Sequence, residues 1–409
     1  MASQSMSTAS ALFKTKYVRL SRDMFNSEDP VKSKIKRHDD FVGDQGRISV
    51  PTSFGGGVGS GVFPRPNPAS YIKADFTAKK MYAVIQIDRE STKAAESDEG
   101  AFVRNTKEAV KRGIQSFNRN WSRAFWNDST TTDGNGRLGT FSGNQTNTAT
   151  DTYTVTIEST TWKLANFEPK DFVNINTNST EFEITAIVPS TRVITLVRRS
   201  GPALDLAAIG AGTHEIYMQN SKDNDPTGIA GVLTATSGTH LGNSIGYRWQ
   251  CASQLTSLST GLTVDLMNKQ TLEIKYAFGD GADLMCTSFV QYRRLLSQLE
   301  DQKRYMIVES RNSGPKGKFS FQALEFMADT GPIPVVADRF IEDDRFYSLN
   351  TDFIEMFARP DGGWIDDDIS GVIFRNSDVD DVLEARYAVY YQMVIHPTPH
   401  GVMTGLTTS

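Results

Sequence analysis

The longest amphipathic pattern in the chain runs from Asp98 to Trp126 and predicts one continuous helix. Its apolar residues recur mostly at steps of three and four, and they are Phe102, Ala109, Val110, Ile114, Phe117, Trp121, Ala124 and Phe125. This is the period of a helix with one buried stripe. The acidic residues Asp98 and Glu99 open the segment and basic residues follow, which suits the helix dipole. We expect Phe102, Val110, Ile114, Phe117 and Trp121 to form the core of this helix. Taken alone, the segment also fits a core helix of a large enzyme.

The segment before residue 47 shows no sustained helical or strand period. Its basic residues are set almost alternately, and they are Lys32, Lys34, Lys36, Arg37 and His38. We interpret residues 1–46 as an extended arm. A basic run of this kind is either a solvated surface or a contact for packaged nucleic acid or an acidic partner.

Residues 47–88 predict a long hairpin with a glycine-rich tip. Arg47 to Val50 has strand character, glycines and prolines fill the middle, and a period of two returns from Tyr71 to Asp88. In the tip, burying Val58, Val62 and Phe63 would return about 1.5–3 kcal/mol each, whereas ordering costs about 1–2 kcal/mol per residue. We therefore expect the tip to become ordered on a neighbouring subunit, with Gly55, Val58, Val62, Phe63 and Tyr71 as contact residues.

The composition changes after the glycine-rich turn Asp133–Gly136. Short β-branched segments separated by turn residues follow, at Thr152–Glu158, Asp171–Asn176, Glu181–Val188, Arg192–Val197 and His214–Met218. Five short strands at this spacing predict a small β-barrel. We interpret it as an inserted domain.

From Asp225 onward the pattern predicts an α/β layer. Thr263 and Ser288 are expected to cap two amphipathic helices, the first ended by Gly279, with a strand at Asp283–Cys286 between them. Further strands are predicted at Arg304–Val308, Phe319–Phe326, Pro334–Ala337 and Phe346–Leu349. A long final strand is predicted at Val382–Ile395.

Composition places the chain among folded globular proteins with more than one domain. It has 409 residues, 38% hydrophobic and 22% charged, and a net charge of −5. This charge gives no global attraction to nucleic acid. Two cysteines cannot build a disulfide framework. No signal peptide and no membrane span are predicted.

No motif carries convincing chemistry. Gly242–Gly246 matches a nucleophile elbow, but no helix start follows it. Ser313–Lys318 lacks the magnesium-binding hydroxyl of a phosphate loop. The carboxylate clusters at Glu342–Asp344, Asp366–Asp368 and Asp378–Asp381 lack calcium-loop spacing and are expected to be solvated. The five histidines lack zinc spacing. We expect no catalytic residues, no metal and no cofactor.

The order of arm, glycine-tipped hairpin and long helix resembles the major capsid proteins of tailed bacteriophages. These share the Hong Kong ninety-seven fold with encapsulins. The β-rich residues 140–222 depart from the minimal form of that fold, and inserted β-domains of this kind occur in several capsid families. The segments Asp133–Leu138 and Asp225–Leu233 are similar to the glycine-rich exit after the helix and to the re-entry into the main fold.

The resemblance implies an α+β capsid fold with a definite order of domains. They are an N-terminal arm (1–46), an extended loop (47–90), a peripheral domain with the spine helix (91–139), an inserted small β-barrel domain (140–222), an axial domain (223–360) and the peripheral domain's closing strands (361–409).

The implied function is a structural one, without enzyme activity. As a major head protein of a bacteriophage virion, the chain would assemble with itself as pentamers and hexamers into an icosahedral shell around double-stranded DNA, in the host cytoplasm. A scaffolding protein, a portal, a decoration protein and the packaged DNA are the implied partners, with no membrane. Two alternatives stay open: the shell of an encapsulin-like compartment, and an α/β enzyme with a β-rich substrate domain.

Overall fold

The structure is a computed structural model of the chain. It describes residues 31–39, 41–43, 45–53, 58, 61, 70–88, 99–127, 136–142, 146–149, 151–177, 179–202, 213–246, 248–301, 324–329, 331–359, 363–365, 374–376 and 382–408.

The helices in the described part are α1 (Glu99–Phe125), α2 (Ile229–Thr234), α3 (Val264–Phe278) and α4 (Phe289–Asp301), with 3-10 turns at Lys32–Lys34, Leu164–Asn166 and Thr351–Phe353. The strands up to the end of the β-rich region are β1 (Lys36–His38), β2 (Gln45–Ser53), β3 (Ser70–Thr77), β4 (Lys79–Asp88), β5 (Arg137–Ser142), β6 (Thr146–Ala149), β7 (Thr152–Thr156), β8 (Phe172–Ile175), β9 (Glu181–Val188), β10 (Val193–Ser200) and β11 (Thr213–Met218).

The remaining strands are β12 (Thr239–His240), β13 (Asn243–Ser244), β14 (Ser253–Leu255), β15 (Leu284–Thr287), β16 (Leu324–Ala328), β17 (Gly331–Ala337), β18 (Phe346–Leu349), β19 (Ile354–Ala358), β20 (Gly363–Ile365), β21 (Phe374–Asn376), β22 (Val382–Ile395) and β23 (Gly401–Met403). This mixture of few helices and many strands confirms the α+β prediction, and the helix and the final strand lie where the patterns predicted them.

The chain divides into two compact units. The first comprises Met1–Asp44, Thr77–Ala124 and Met356–Gln392, and the second comprises Gln45–Phe76, Phe125–Glu355 and Met393–Ser409. The predicted domain boundaries stay predictions, because this division does not test them.

The first unit is built on the antiparallel pairing of β4 with β22. The register runs without a shift from Lys79 opposite Tyr391 to Asp88 opposite Val382. α1 covers one face of this pair: the Phe117 and Tyr387 ring centroids lie 5.2 Å apart in an edge arrangement. Strands β19, β20 and β21 also pair with β22, and β1 pairs with β19.

The second unit contains a seven-stranded antiparallel sheet in the order β5-β11-β8-β9-β10-β7-β6. Its buried residues, among them Val155, Phe182 and Ile194, share one apolar core. The Glu158 amide, just beyond β7, donates to the Thr140 carbonyl in β5 at 2.8 Å, so the sheet curls until two distant strands meet. The sequence predicted five of these strands and missed β5 and β6. β6 has no large apolar residue, and β5 has only Leu138 and Phe141, which are three residues apart and so do not show the period of a strand.

The same unit holds an α/β layer with the strand order β14-β23-β18-β15-β17-β16. Thr263 caps α3 by accepting from the Leu266 amide at 3.3 Å, and Ser288 caps α4 by accepting from the Gln291 amide at 3.4 Å. Gly279 follows α3 with φ 95°, a backbone conformation that glycine tolerates. The predicted caps and the strands at Pro334–Ala337 and Phe346–Leu349 are confirmed; Arg304–Val308 lies outside the described residues.

The predicted hairpin is wrong in one respect. β2 pairs with β3 in a two-stranded sheet, but the chain then leaves this pairing at Ala78, and β4 joins β22 instead. The buried positions change from even numbers in β3 (Ala74, Phe76) to odd numbers in β4 (Ile85, Ile87). This change of phase at Ala78 marks the change of partner, and the prediction of one continuous hairpin did not use it.

Candidate assembly surfaces

The two-stranded sheet of β2 and β3, here called the ribbon, is largely exposed. Along β2 the residues from Gln45 to Pro51 alternate between exposed and half-buried, and β3 buries only Ala74 and Phe76. Of the expected contact residues, Val58 is fully exposed and Tyr71 is 60% exposed. Gly55, Val62 and Phe63 lie outside the described residues. A two-stranded ribbon is marginal by itself in water, so this surface is suited to packing against another molecule.

Polar contacts fix the base of the ribbon. The Arg47 guanidinium donates to both Asp75 carboxylate oxygens, at 2.5 and 2.9 Å. This hydrogen bond is the main reason that the pKa of Asp75 is lowered. The Asp75 amide donates to the Leu241 carbonyl at 3.1 Å, and Asn243 Nδ2 donates to the Lys73 carbonyl at 2.7 Å.

Asn243 belongs to the Gly242–Gly246 motif, so the structure gives this motif a supporting role for the ribbon. β12 and β13 form a small hairpin there, and Ser244 is exposed. The strand, sharp turn and helix that a nucleophile elbow requires are not present at this place.

Four of the five predicted core residues of α1 have described side chains, and these four are buried. Val110, Ile114, Phe117 and Trp121 are at most 3% exposed. The side chain of Phe102 lies outside the described part of the structure.

Trp121 also connects three segments of the first unit. Its ring stacks on Tyr391 with centroids 4.8 Å apart, and Lys32 Nζ lies 4.4 Å from its centroid. A cation over an indole face is attracted by the ring quadrupole. The helix therefore binds the closing strand and the segment at Lys32 through one side chain.

The exit from α1 and the re-entry from the β-rich sheet lie against each other. The Gly231 amide donates to the Asn127 carbonyl at 3.1 Å. Gly228 approaches the backbone so closely that a Cβ would lie 2.3 Å from the Asn127 nitrogen and 2.8 Å from the Phe125 carbonyl oxygen. Gly136, with φ 98°, would place a Cβ 2.3 Å from Ser221 Oγ. A Cβ on Gly136 would also lie 3.1 Å from Asp225 Oδ2, so the two glycine-rich segments singled out in the sequence are in contact.

The acidic cluster at Glu342–Asp344 is not a solvated loop, contrary to the prediction. Glu342 is only 6% exposed; Lys163 Nζ lies 3.4 Å from its Oε1, and Arg345 forms an ion pair with it. Burial raises the pKa of Asp343 and of Asp344. Spacing along the chain gave no sign of this cluster, because Lys163 comes from the distant β-rich region. The clusters at Asp366–Asp368 and Asp378–Asp381, like Ser313–Lys318, lie outside the described residues.

Three histidines lie around the segment that joins β22 to β23; His240 and His400 are buried and His396 is half-buried. His240 Nε2 donates to the Ile395 carbonyl at 2.9 Å, and His400 Nδ1 accepts from the Asn350 amide at 3.1 Å. Burial lowers the pKa of His240 and of His396 to about 4 and that of His400 to about 3. In the described part of the chain, no three His, Cys, Asp or Glu side chains are grouped as a metal site, and no helix is long and apolar enough to cross a membrane.

No family model matches the chain, and no curated protein matches it. Several solved structures are similar over most of its length. The capsid asymmetric unit of cyanophage A-1(L) is 14% identical, covers 93% of each chain and has a TM-score of 0.49. The capsid of the empty GTA particle is 10% identical over 92% of this chain and 96% of its own, with a TM-score of 0.46. The holo-SrpI encapsulin complex from Synechococcus elongatus is 6% identical over 94% and 90%, with a TM-score of 0.43.

These structures are capsids and an encapsulin. The class of protein that the sequence resembles is also the class found among the similar structures. Each TM-score lies below 0.5 and each identity below 25%, so the function is argued from this chain's own elements.

Proposed function

We propose that this chain is the major capsid protein of a tailed phage. It assembles with itself as pentamers and hexamers into the closed icosahedral head that encloses double-stranded DNA. It is a structural protein rather than an enzyme, and its binding surfaces are spread over the subunit.

The pairing of β22 with β4 under α1 carries this proposal. The resemblance implied that the long helix and the closing strand belong to one peripheral domain, although they lie in distant parts of the sequence. The two elements lie together in the first unit, where Phe117 packs on Tyr387 and Trp121 on Tyr391.

The ribbon supplies the second support. Its base is fixed by Arg47, Asp75 and Asn243, while Val58 and Tyr71 remain exposed. A surface held at one end and open along its length suits contact with an adjacent subunit. In the proposed shell the expected contact residues Gly55, Val58, Val62, Phe63 and Tyr71 pack on that neighbour.

The scaffolding protein, the portal, the decoration protein and the packaged DNA remain proposed partners. The proposed location is the virion, after assembly in the host cytoplasm.

Electron microscopy of the purified protein, alone and co-expressed with its genomic neighbours, tests the proposal. Closed shells of pentamers and hexamers are expected. A folded protein that stays monomeric at every concentration and salt, with or without those neighbours, would refute it. Shells that contain a protein cargo in place of double-stranded DNA would assign the chain to the encapsulins.

A deletion tests the role of the extended loop. Removal of residues 55–68 should leave the far-ultraviolet circular dichroism and the unfolding midpoint of the subunit unchanged but reduce the yield of shells. Tyr71→Ser should act in the same direction, with Tyr276→Ser, at a 95% exposed position on α3, as the matched control. A normal shell yield from the deletion variant would remove the loop from subunit contact.

A further inference from the structure

Strand β4 has one paired edge, and its other edge is open in the described part of the chain. Its paired edge is in continuous register with β22 from Lys79 to Asp88. Among the described residues, no strand pairs with its other edge. A long open edge presents a row of backbone donors and acceptors that another chain can join.

The direction of the backbone groups follows from a single hydrogen bond on the far side of β22. The Tyr390 carbonyl accepts from the Arg359 amide at 2.9 Å, so the backbone groups of Tyr390 point away from β4. Tyr390 lies directly opposite Lys80. Two opposite residues of an antiparallel pair either both point their backbone groups toward each other or both point them away, and the two cases alternate along a strand. The backbone N–H and C=O groups of Lys80, Tyr82, Val84 and Gln86 therefore point to the open edge.

The side chains of the same strand explain why the edge needs a cover. Ile85 and Ile87 are buried on the face that α1 packs on, at 5% and 6% exposure. On the opposite face, Tyr82 is 53% exposed and Val84 is 55% exposed. The outward-pointing residues carry charge only at the two ends of the strand, at Lys80 and at Asp88, and no proline interrupts them. Such an edge lacks most of the devices that keep edge strands apart.

We propose that β4 pairs antiparallel with β4 of a second copy about a two-fold axis through Val84, which joins two sheets into one. This inference rests on the proposed self-assembly. The register keeps Ile85 and Ile87 of both copies on the α1 side, because a shift by one residue would turn them to the other face. It also brings Lys80 opposite Asp88 of the second copy and Tyr82 opposite Gln86.

The second copy is favoured as the occupant because the strand is complementary to itself. A basic residue near the beginning and an acidic residue at the end meet twice in an antiparallel pair, once on each side of the axis. The exposed Val84 residues then meet at the centre. An isologous contact of this kind requires the same patch on both subunits.

Disulfide trapping tests the register. Directly opposite, hydrogen-bonded residues have Cα atoms about 5.5 Å apart, which lies within the range of about 4.4–6.8 Å for disulfides. Val84→Cys should therefore give a covalent dimer on mild oxidation, and Tyr82→Cys, whose expected partner is Gln86, should not. Tyr276→Cys controls for collision at an exposed site. The native Cys251 and Cys286 are buried and do not interfere.

The double variant Tyr82→Cys/Gln86→Cys should form the dimer that Tyr82→Cys alone does not. The two-fold pairing would be overturned if Val84→Cys and Tyr276→Cys cross-linked equally. It would also be overturned if Val84→Cys gave no cross-link in particles that electron microscopy shows to be intact. Neither result would contradict the shell proposal. Monomers under all conditions would refute the shell proposal itself.

Val84→Pro gives a second, independent readout. The Val84 amide points to the open edge, so proline removes one donor from each copy without breaking a bond to β22. The dimer constant, from analytical ultracentrifugation of unassembled subunits, should weaken roughly tenfold or more, since two hydrogen bonds are lost. Unchanged association with an unchanged unfolding midpoint would overturn the inference.

Discussion

Gly228 is a position where a single methyl group should be costly. A Cβ at this residue would lie 2.3 Å from the Asn127 nitrogen, 2.6 Å from the Asn127 oxygen and 2.8 Å from the Phe125 oxygen. All three atoms belong to the backbone at the end of α1, so no side chain can rotate away. The φ of Gly228 is −80°, which alanine adopts freely. The whole cost of Gly228→Ala therefore comes from contact and not from backbone strain.

The expected magnitude follows from two opposing effects. Overpacking costs about 1–3 kcal/mol and occasionally more, and three backbone contacts below 3.0 Å place this site at the upper end. The reduced entropy of the unfolded chain returns about 0.4–1 kcal/mol. A net loss of about 2 kcal/mol or more is expected. With an m-value of about 2–3 kcal/mol/M in urea, the unfolding midpoint of the second unit should fall by roughly 1 M.

Gly246→Ala is the matched control. This glycine lies in the same unit, its φ is outside the left-handed region, and a Cβ there would meet nothing within 4 Å. The same substitution should raise the midpoint slightly or leave it unchanged. Urea titrations followed by tryptophan fluorescence measure both variants. Equal midpoints for the two variants would show that the contact between exit and re-entry does not stabilise the unit.

Three further predictions concern buried side chains. Trp121→Ala should destabilise the first unit by about 3–5 kcal/mol in urea titrations, while Tyr276→Ala at an exposed site should have little effect; equal midpoints would contradict the packing role. Lys163→Met should lower the free energy of unfolding by about 3 kcal/mol, because the buried Glu342 charge loses one of its two cationic partners. Adding Glu342→Gln to that variant should recover part of the loss. If the losses of the two single variants instead add in the double variant, the two side chains are not coupled. Burial lowers the pKa of His400 to about 3 in the folded chain, whereas an unfolded histidine has a pKa of about 6.5. Below a pH of about 6.5 the unfolded chain therefore binds a proton that the folded chain does not. The free energy of unfolding then falls with the pH, by up to about 1.4 kcal/mol per pH unit. His400→Gln should flatten the pH dependence of the midpoint by that amount, and an unchanged slope would contradict it.

Local signals in the sequence located most elements because each depends on nearby residues. The period of α1, the caps at Thr263 and Ser288, and the alternation of β22 are all set within a few turns or a single strand. The choice of a strand's partner is not local. β3 and β4 are separated by Ala78 alone, yet they pair in different sheets. The local sign of this is a change of phase, since the buried positions are even-numbered in β3 (Ala74, Phe76) and odd-numbered in β4 (Ile85, Ile87).

The surroundings of charged residues were predicted least well. Glu342, Asp343 and Asp344 form an acidic run that is ordinarily solvated, and only the folded chain brings Lys163 to Glu342. The support that Asn243 gives to the ribbon was hidden for the same reason, since its acceptor on Lys73 is remote in sequence. Of the expected contact residues, the structure describes Val58 and Tyr71, and their role stays a prediction.

The contact between Gly136 and Ser221 has a consequence for how this chain tolerates change. Gly136 precedes the seven-stranded sheet and Ser221 follows it, so the two ends of this segment lie next to each other. The sheet between them has its own apolar core. The entropic cost of bringing the two ends of such a segment together grows only slowly with the length of the segment. We therefore expect the junction to accept sheets of other sizes, or a foreign domain whose ends lie equally close.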